Sequence, residues 1–260
     1  MTIILCHQIC KEMKRIVSIL LLTLALAVGV QAKAYKLSSP SGQIKLTVNA
    51  GHYLSWSLEA FGEKVLEDSR ISLTLSDGRV LGVAKFNPRA SRRSADDTLV
   101  NLVPTKHRVI GDRYNELRLR YGKDYSVLFR VYDNGVAYRF ESAFPEDIEV
   151  REEVSEWNFA ADLKAYWANE KNPFQELPLS QIDRATYSYL PVSMSDGNGH
   201  LFVLAEVDLF DYPNMLLRAG EGNSLFGEHP KMIVRTAGSR TFPWRLLTIG
   251  DDRELPEEAG

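Results

Sequence analysis

The stretch Tyr125-Ser-Val-Leu-Phe-Arg-Val-Tyr-Asp-Asn-Gly-Val-Ala-Tyr-Arg-Phe140 decides the fold of this chain. Apolar and aromatic side chains alternate with other residues up to Tyr132, and the alternation resumes after Gly135. Such alternation is typical of a β-strand with one buried face, because successive side chains point to opposite sides. The Asn-Gly pair between the two runs is the strongest short-range signal of a hairpin. The stretch therefore predicts two antiparallel strands joined by a tight turn.

The same period of two recurs along the chain, whereas amphipathic helical periodicity is nearly absent. Apolar residues alternate at Ile44, Leu46 and Val48, at Leu54, Trp56 and Leu58, and at Ile71, Leu73 and Leu75. Short apolar runs follow at 201–205, 232–234 and 246–249. Many short strands with turns between them favour a sandwich or a barrel. We therefore expect an all-β fold, one large antiparallel sandwich of two sheets.

Composition and charge exclude two classes of partner. The 260 residues are 45% hydrophobic and 25% charged, with a formal net charge of −3, which is ordinary for a globular protein. Basic runs with interleaved aromatic residues are absent, so we expect no nucleic-acid partner. After residue 32 no apolar stretch approaches the length that spans a bilayer. We therefore expect no membrane span after signal cleavage.

The N-terminus has the layout of an export signal. Within residues 13–32, the basic pair Lys14-Arg15 precedes an apolar run from Ile16 to Val30, and a small-residue cleavage site ends at Ala32. The sequence therefore predicts an exported protein, periplasmic or secreted. A membrane anchor is the alternative, but the apolar run is short and a cleavage site follows it. Residues 1–12 precede the basic region, and we interpret them as a mis-annotated extension.

Common catalytic signatures are missing from the sequence. Cys6 and Cys10 are the only cysteines, and both lie in the first segment, so the mature chain has no thiol. The sequence holds no Gly-x-Ser-x-Gly elbow, phosphate loop or dinucleotide fingerprint. None of the mature histidines has the spacing of a metal site; these are His52, His107, His200 and His229. Nucleophilic and nucleotide chemistry are therefore poor expectations for this chain.

Two segments interrupt the strand pattern. The stretch Ser91–Asp97 is charged and turn-like, and it predicts a surface loop within one domain. The segment Tyr166–Ser180 is irregular and carries aromatic side chains and two carboxylates. Long irregular segments on a rigid sandwich often hold binding groups, and a carboxylate there can bind a hard cation such as calcium. A plain surface loop is the alternative for this second segment.

Five stretches, taken together, carry a resemblance to a known family. They are residues 35–44, 125–140, 149–159, 205–215 and 240–245, of which the last reads Arg-Thr-Phe-Pro-Trp-Arg. They follow one another in this order and are distributed over nearly all of residues 35–252. The ordered set resembles the N-terminal domain of glycoside hydrolase family 97, which contains α-glucosidases and α-galactosidases of polysaccharide-using bacteria.

The resemblance implies a fold, a partner domain and a metal. The family's N-terminal domain is a large antiparallel β-supersandwich, galactose-mutarotase-like, that packs on a following (β/α)₈ catalytic barrel. That barrel carries the acid and the base or nucleophile that act on an α-linked oligosaccharide, so no catalytic residue is expected in this chain. Calcium in the full-length enzyme is held mostly by barrel carboxylates, completed by one glutamate from an N-domain loop. That loop matches residues 166–180, and Glu170 is the first choice for the ligand, with Glu176 second.

The resemblance also implies where this chain differs from its family. Residues 33–252 are expected to form a single β-sandwich domain, whereas residues 253–260 diverge as a truncated tail without the barrel. We expect such a chain to have no hydrolase activity alone and to bind no calcium by itself. An apolar face that the barrel normally covers should be exposed and prone to associate.

Two alternatives remain at the level of the sequence. A stand-alone carbohydrate-binding or mutarotase-like protein would need a histidine and a carboxylate placed as acid and base across one sugar. His200 with Glu206, and His107 with Glu116, are the nearest candidates in the sequence. A structural surface module without any ligand is the other alternative.

Overall fold

Strands dominate the computed structural model, which describes residues 32–83, 86–100, 109–168, 175–229 and 233–251, with the side chains of 97–100, 109–111 and 251 excepted. The strands are β1 (Lys33–Ser38), β2 (Ile44–Ala50), β3 (Leu54–Ala60), β4 (Glu63–Leu75), β5 (Val80–Leu81), β6 (Arg89–Val100), β7 (Val109–Tyr121), β8 (Tyr125–Tyr132), β9 (Gly135–Ala143), β10 (Ile148–Asn158), β11 (Lys164–Trp167), β12 (Gln175–Pro178), β13 (Tyr187–Tyr189), β14 (Val192–Ser195), β15 (His200–Val207), β16 (Leu216–Ala219), β17 (Ser224–Glu228), β18 (Val234–Thr236), β19 (Ser239–Thr241) and β20 (Trp244–Asp251). One 3₁₀ turn, Leu179–Gln181, follows β12.

The strands form two large antiparallel sheets. Sheet 1 has the order β1-β2-β3-β4-β10-β17-β16-β13, with β5 paired to β4 and β18 paired to β10. Sheet 2 has the order β12-β11-β14-β15-β20-β9-β8-β7-β6, with β19 paired to β9. The predicted all-β antiparallel sandwich is therefore confirmed, and its strands alternate between buried and exposed positions as the sequence pattern indicates.

The hairpin predicted from the Asn-Gly turn lies at the centre of sheet 2. Strands β8 and β9 pair along their whole length, from Tyr125 opposite Ser142 to Tyr132 opposite Gly135. Gly135 is required there because a Cβ atom would lie 2.4 Å from the carbonyl oxygen of Leu247 in the neighbouring strand β20. The prediction of a tight antiparallel pair is confirmed.

Aromatic rings fill the space between the two sheets. Trp56 of sheet 1 packs against Phe129 and Tyr138 of sheet 2, with ring centroids 6.4 and 6.0 Å apart. Trp157, whose ring centroid is 5.3 Å from that of Trp56, packs against Tyr138 at 6.0 Å. Ser155 accepts a hydrogen bond from the Trp157 indole at 3.1 Å and lies 2.6 Å from the Tyr138 hydroxyl. Buried polar atoms of aromatic side chains usually find such partners, which also fix the ring orientations.

The segment Ser91–Asp97 is not the surface loop that its charge predicts. It lies inside β6, which pairs with β7 over twelve residues and forms the edge of sheet 2. Charged side chains are ordinary on an edge strand, where they discourage pairing with other chains. Arg93 of this strand donates to Glu116 of β7 at 2.8 Å. Cross-strand ion pairing thus replaces the apolar alternation that reveals the other strands.

A close backbone contact fixes the turn between β18 and β19. A Cβ atom on Gly238 would lie 1.8 Å from the carbonyl oxygen of Glu146, and the Gly238 carbonyl accepts a hydrogen bond from Phe144 at 3.1 Å. In contrast, a Cβ atom on Gly250 in β20 would meet nothing within 4 Å. Only the first of these glycines is demanded by packing.

Several predictions concern residues outside those that the structure describes. These are the extension 1–12, nearly all of the signal peptide 13–32, and the tail 253–260. Among the described residues, no helix is long and apolar enough to cross a membrane.

Candidate functional site

The segment predicted to hold a metal ligand folds in part as a hairpin. Strands β11 and β12 pair antiparallel, with Tyr166 opposite Glu176, and β12 forms an edge of sheet 2. The Glu176 side chain is exposed on this edge. Glu170, the first choice for the ligand, lies in the connection 169–174 and outside the described residues. The segment Tyr166–Ser180 is therefore more regular than its sequence predicts.

Buried contacts anchor the base of this hairpin. Trp167 is 1% exposed, and its indole donates to the hydroxyl of Thr186 at 3.2 Å. The Ser188 hydroxyl donates to the carbonyl of Ala168 at 2.8 Å, immediately before the connection begins. Beyond the other strand, the Ser180 hydroxyl donates to a carboxylate oxygen at 2.6 Å. The described strands on either side of residues 169–174 are therefore held by buried or hydrogen-bonded contacts.

The described residues do not by themselves build a metal site. Within the described ranges, no group of three or more histidine, aspartate or glutamate side chains is placed to hold an ion. Calcium takes six to eight oxygen ligands, so one glutamate of this hairpin would be a single member of a larger set. The exposed carboxylate of Glu176 fits that role, provided that another domain supplies the remaining oxygens.

An ionic cluster that the sequence analysis did not predict lies between the sheets. Arg245 of β20 donates from Nε and Nη2 to both carboxylate oxygens of Glu153 of β10, each at 2.8 Å. Its Nη1 donates to Glu206, its neighbour across the β15–β20 pair. His229 Nε2 lies 3.1 Å from Glu153. These four side chains are each at most 6% exposed, and we call them the inter-sheet ion cluster.

The two carboxylates of this cluster have opposite pKa shifts. Burial alone would raise the pKa of Glu153, but the charge of Arg245 and the hydrogen bonds outweigh it and hold the pKa at about 2. Burial raises the pKa of Glu206, and Arg245 offsets this only in part. A low and a raised pKa can mark an acid–base pair. Here both carboxylates are committed to one buried guanidinium, so the arrangement ties the sheets together.

The acid–base pairs considered for a mutarotase-like protein are not assembled. His200 and Glu206 lie six residues apart in β15, about 20 Å along an extended strand. His200 instead contacts Asp196, with Nδ1 2.7 Å from a carboxylate oxygen. Glu116 accepts hydrogen bonds from Arg93 and from a second arginine of sheet 2. His107 lies outside the described residues.

Three of the five stretches that carry the family resemblance meet in this cluster. Residues 149–159 contain Glu153, residues 205–215 contain Glu206, and residues 240–245 end in Arg245. Met215, at the end of the second stretch, donates its backbone N–H to Glu206 at 3.1 Å. Spacing along the sequence could not reveal the cluster, because its partners are up to 92 residues apart. The family resemblance is the one sequence signal that pointed to the cluster, since three of the stretches that carry it meet there.

The outer side of sheet 2 carries a small apolar cluster that the chain's own side chains already bury in large part. Leu128, Ala137 and Trp244 form a buried cluster separate from the main core, with Tyr132 and Leu246 packed against it. Antiparallel sheets commonly keep one face polar and solvated, so an apolar cluster on the outer side is an exception.

Neighbouring residues of β15 extend this surface. Ala205 lies opposite Leu246, and Val207 lies opposite Trp244, so both pairs share one face of the sheet. Val207 is 45% exposed. We call the surface formed by Leu128, Tyr132, Ala137, Ala205, Val207, Trp244 and Leu246 the apolar outer face.

Two arginines flank the tryptophan of this face. The guanidinium groups of Arg130 and Arg139 lie 4.5 and 4.4 Å from the Trp244 ring centroid, within the range of cation–π contacts. The buried Nε of Arg139 has no hydrogen-bond partner among the described residues. A buried donor without an acceptor is costly.

Comparisons with known proteins agree with this architecture. A sequence model described as "Glycosyl-hydrolase 97 N-terminal" matches residues 37–259. The chain is 28% identical to a retaining alpha-galactosidase of Bacteroides thetaiotaomicron over 91% of this chain and 42% of the relative. It is 24% identical to a probable retaining alpha-galactosidase of Streptomyces bingchenggensis, over 82% of this chain and 34% of that protein.

Solved structures show the same fold. A glycoside hydrolase family 97 enzyme from Pseudoalteromonas sp. strain K8, in complex with acarbose, matches 83% of this chain and 35% of its own length, with a TM-score of 0.73 and 20% identity. A beta-arabinopyranosidase matches 84% of this chain and 40% of its own length, with a TM-score of 0.70 and 20% identity. The chain spans less than half the length of each curated relative described above. Because the family model covers most of its residues, this chain belongs to the glycosyl-hydrolase 97 N-terminal family.

Proposed function

We propose that this chain acts as the N-terminal, non-catalytic domain of an exported family 97 α-glycosidase, packing on a (β/α)₈ catalytic domain that hydrolyses an α-linked oligosaccharide. In this role it supports the catalytic domain and presents one glutamate to a calcium ion there. Residues 13–32 would direct export to the periplasm or beyond it. The membership of the family and the partial coverage of two alpha-galactosidases support the proposal.

The apolar outer face of sheet 2 is the observation that carries this proposal. It combines exposed Val207, half-buried Leu246 and the Trp244 ring in one surface on strands β15 and β20. Stable interfaces are built around an apolar and aromatic centre with arginine at its margin, which matches Trp244 between Arg130 and Arg139. The catalytic domain would cover this face.

The anchored β11–β12 hairpin supports the metal part of the proposal. Either Glu170, in the connection 169–174, or Glu176, exposed on β12, would contribute one oxygen ligand. Calcium bound there would supply positive charge that orients a substrate and stabilises developing negative charge. The role of this chain is to hold its glutamate on a fixed support, because Trp167 and Ser188 immobilise one end of the hairpin.

A domain exchange tests the proposal. Residues 33–251 would replace the matching domain of the Bacteroides thetaiotaomicron alpha-galactosidase, and hydrolysis of p-nitrophenyl α-galactoside would be measured with calcium and with EDTA. We expect calcium-dependent hydrolysis by the chimera, because the grafted domain supplies both the docking surface and the glutamate. Either Glu170→Gln or Glu176→Gln should abolish the calcium dependence, and the variant that does so identifies the ligand.

The matched controls separate docking from folding. Val207→Lys places a charge on the apolar outer face and should abolish hydrolysis, whereas Val154→Lys, on the outer face of sheet 1, should not. Cooperative thermal unfolding would establish that each chimera is folded. A folded chimera without hydrolysis, or one in which Val207→Lys and Val154→Lys behave alike, would contradict the proposal.

A further inference from the structure

The turn between β3 and β4 holds an aromatic residue in an unusual backbone conformation. Ala60 pairs with Glu63, so Phe61 and Gly62 form a two-residue turn, with φ angles of 55° and 88°. Positive φ at both positions defines a type I′ turn, which favours Asn-Gly. A bulky side chain at the first position is strained, and strain of this kind often accompanies function. The Phe61 ring is 48% exposed, so core packing does not explain its presence.

A histidine from sheet 2 stacks on this ring. The rings of Phe61 and His200 lie parallel, at 4° between planes, with their centroids 5.9 Å apart. His200 begins β15, and its Nδ1 lies 2.7 Å from the carboxylate of Asp196. Two elements distant in sequence therefore hold an aromatic ring and an imidazole side by side.

Asp196 fixes the histidine in one orientation. Its carboxylate accepts hydrogen bonds from the backbone N–H groups of Asn198 at 2.7 Å and of His200 at 3.1 Å, in addition to its contact with the imidazole. Burial alone would raise the pKa of Asp196, but the hydrogen bonds from His200 and the backbone lower it overall. An ionised carboxylate at Nδ1 favours the tautomer with the proton on Nδ1. The Nε2 atom, which no described residue hydrogen-bonds, then serves as an acceptor for a ligand.

A cleft of about 380 Å³ opens beside this stacked pair. Its floor is apolar and includes Leu163, Phe202 and Ile249. Its rim carries ring and polar groups, namely Phe61, Glu63, Lys64, Asp196, Asn198 and His200. An apolar lining with a few converging polar groups, and a volume of a few hundred Å³, is the usual form of a small-molecule site.

We propose that this cleft binds a single pyranose unit of a neutral sugar, with one face of the sugar ring against Phe61 and with hydroxyl groups bonded to His200 Nε2 and the Asn198 amide. The proposal deepens the proposed function, on which it rests for the expectation that carbohydrate is the ligand. It assigns to this domain a sugar-binding surface that the chain builds from its own described residues.

The charges at the rim favour a neutral ligand over an ionic one. Lys64, the only lysine or arginine among the described rim residues, pairs with Glu67 at 3.1 Å. Asp196 is satisfied by His200 and the turn, so it offers little attraction to a cation. A sugar suits what remains, since it offers an apolar ring face to an aromatic side chain and hydroxyl groups to amide, carboxylate and imidazole partners.

Direct binding of melibiose and of maltotriose to the full chain tests this proposal, measured by saturation-transfer NMR and isothermal titration. Phe61→Asn should weaken binding about tenfold, because it removes the stacking ring while asparagine still accepts positive φ. His200→Ala should also weaken binding of the same sugar. Phe210→Ala is the matched control, since Phe210 is 93% exposed and does not line the cleft, and it should leave binding unchanged.

The outcomes separate this proposal from the proposed function. Saturable binding that Phe61→Asn and His200→Ala both weaken, in variants that unfold cooperatively, would support the cleft. The absence of saturable binding to the unmodified chain, or equal binding by Phe61→Asn, would overturn it. Neither result bears on docking, because the domain-exchange assay depends on Val207 and the glutamate of the β11–β12 hairpin.

Discussion

Arg245 reaches across the sandwich to bond both carboxylate oxygens of Glu153, although the two residues are 92 positions apart in the chain. Arg245 belongs to β20 of sheet 2, and Glu153 belongs to β10 of sheet 1. The two-pronged contact is buried at both ends, so it works as a fixed tie between the sheets. Family resemblance in this chain is thus concentrated where the sheets are joined.

Breaking this tie should be strongly destabilising. Arg245→Met leaves the charges of Glu153 and Glu206 buried without their partner, and we expect a loss of about 4 kcal/mol in the free energy of unfolding. Urea denaturation followed by tryptophan fluorescence would measure it.

A surface pair provides the matched control. Arg235 of β18 contacts Glu149 of the same strand β10, but its side chain is 83% exposed. Arg235→Met should therefore cost less than about 1 kcal/mol. Equal losses of unfolding free energy in the two variants would show that the inter-sheet ion cluster stabilises the fold no more than a surface ion pair does.

Acid should destabilise the fold through Glu153. Its pKa is about 2 in the folded chain against an ordinary value of 4.5, so its contribution to stability is present above pH 4.5. That contribution is lost as the pH falls towards 2. Glu206, whose pKa is raised, has the opposite sign and acts above this window, where its contribution to stability rises as the pH falls towards 4.5. The urea concentration at the midpoint of unfolding, measured at a series of pH values, should decrease as the pH is lowered from 4.5 towards 2.

Replacement of the glutamates would identify the group responsible. Glu153→Gln should flatten the acid limb of the stability profile below pH 4.5, whereas Glu206→Gln should leave that limb in place and alter the profile only above pH 4.5. An acid limb that is unchanged in Glu153→Gln would contradict this assignment.

Substitution of Gly238 should be costly because of its backbone contacts. A methyl group there would lie 1.8 Å from the carbonyl oxygen of Glu146, so the β18–β19 turn must move. We expect Gly238→Ala to lower the free energy of unfolding by about 3 kcal/mol. Gly250→Ala has open space and should be neutral or slightly stabilising in the same denaturation assay. Similar values for both would contradict the packing argument.

The apolar outer face should make the chain self-associate when it is not covered. Sedimentation velocity at increasing concentration should show association, and Val207→Lys should reduce it, because a charge resists burial in an apolar contact. Val154→Lys, on the opposite sheet, should have little effect. Association that persists in Val207→Lys would locate the contact elsewhere.

The fold could be predicted where burial leaves a periodic pattern in the sequence. The β8–β9 hairpin was predictable because Phe129 and Tyr138 lie on the buried face of their strands and a turn signal separates the two strands. Strand β6 was not predicted, because its charged residues pair with β7 at the edge of the sheet and leave no alternation of apolar residues in the sequence. The ion pairs of Arg245 were not predicted either, because no local sequence pattern indicates contacts between strands that are distant in the chain. The metal-ligand assignment to Glu170 or Glu176 stays a prediction.

The position of β20 has a consequence for the order in which sheet 2 forms. This strand is late in the chain, yet it lies in the interior of sheet 2, between β15 and β9. Until β20 is in place, the β6–β9 and β11–β15 portions of the sheet each end in an unpaired edge. Unpaired strand edges are prone to wrong pairing. The interior of this sheet therefore closes only when β20 pairs on both sides, and the chain is most exposed to wrong pairing before that step.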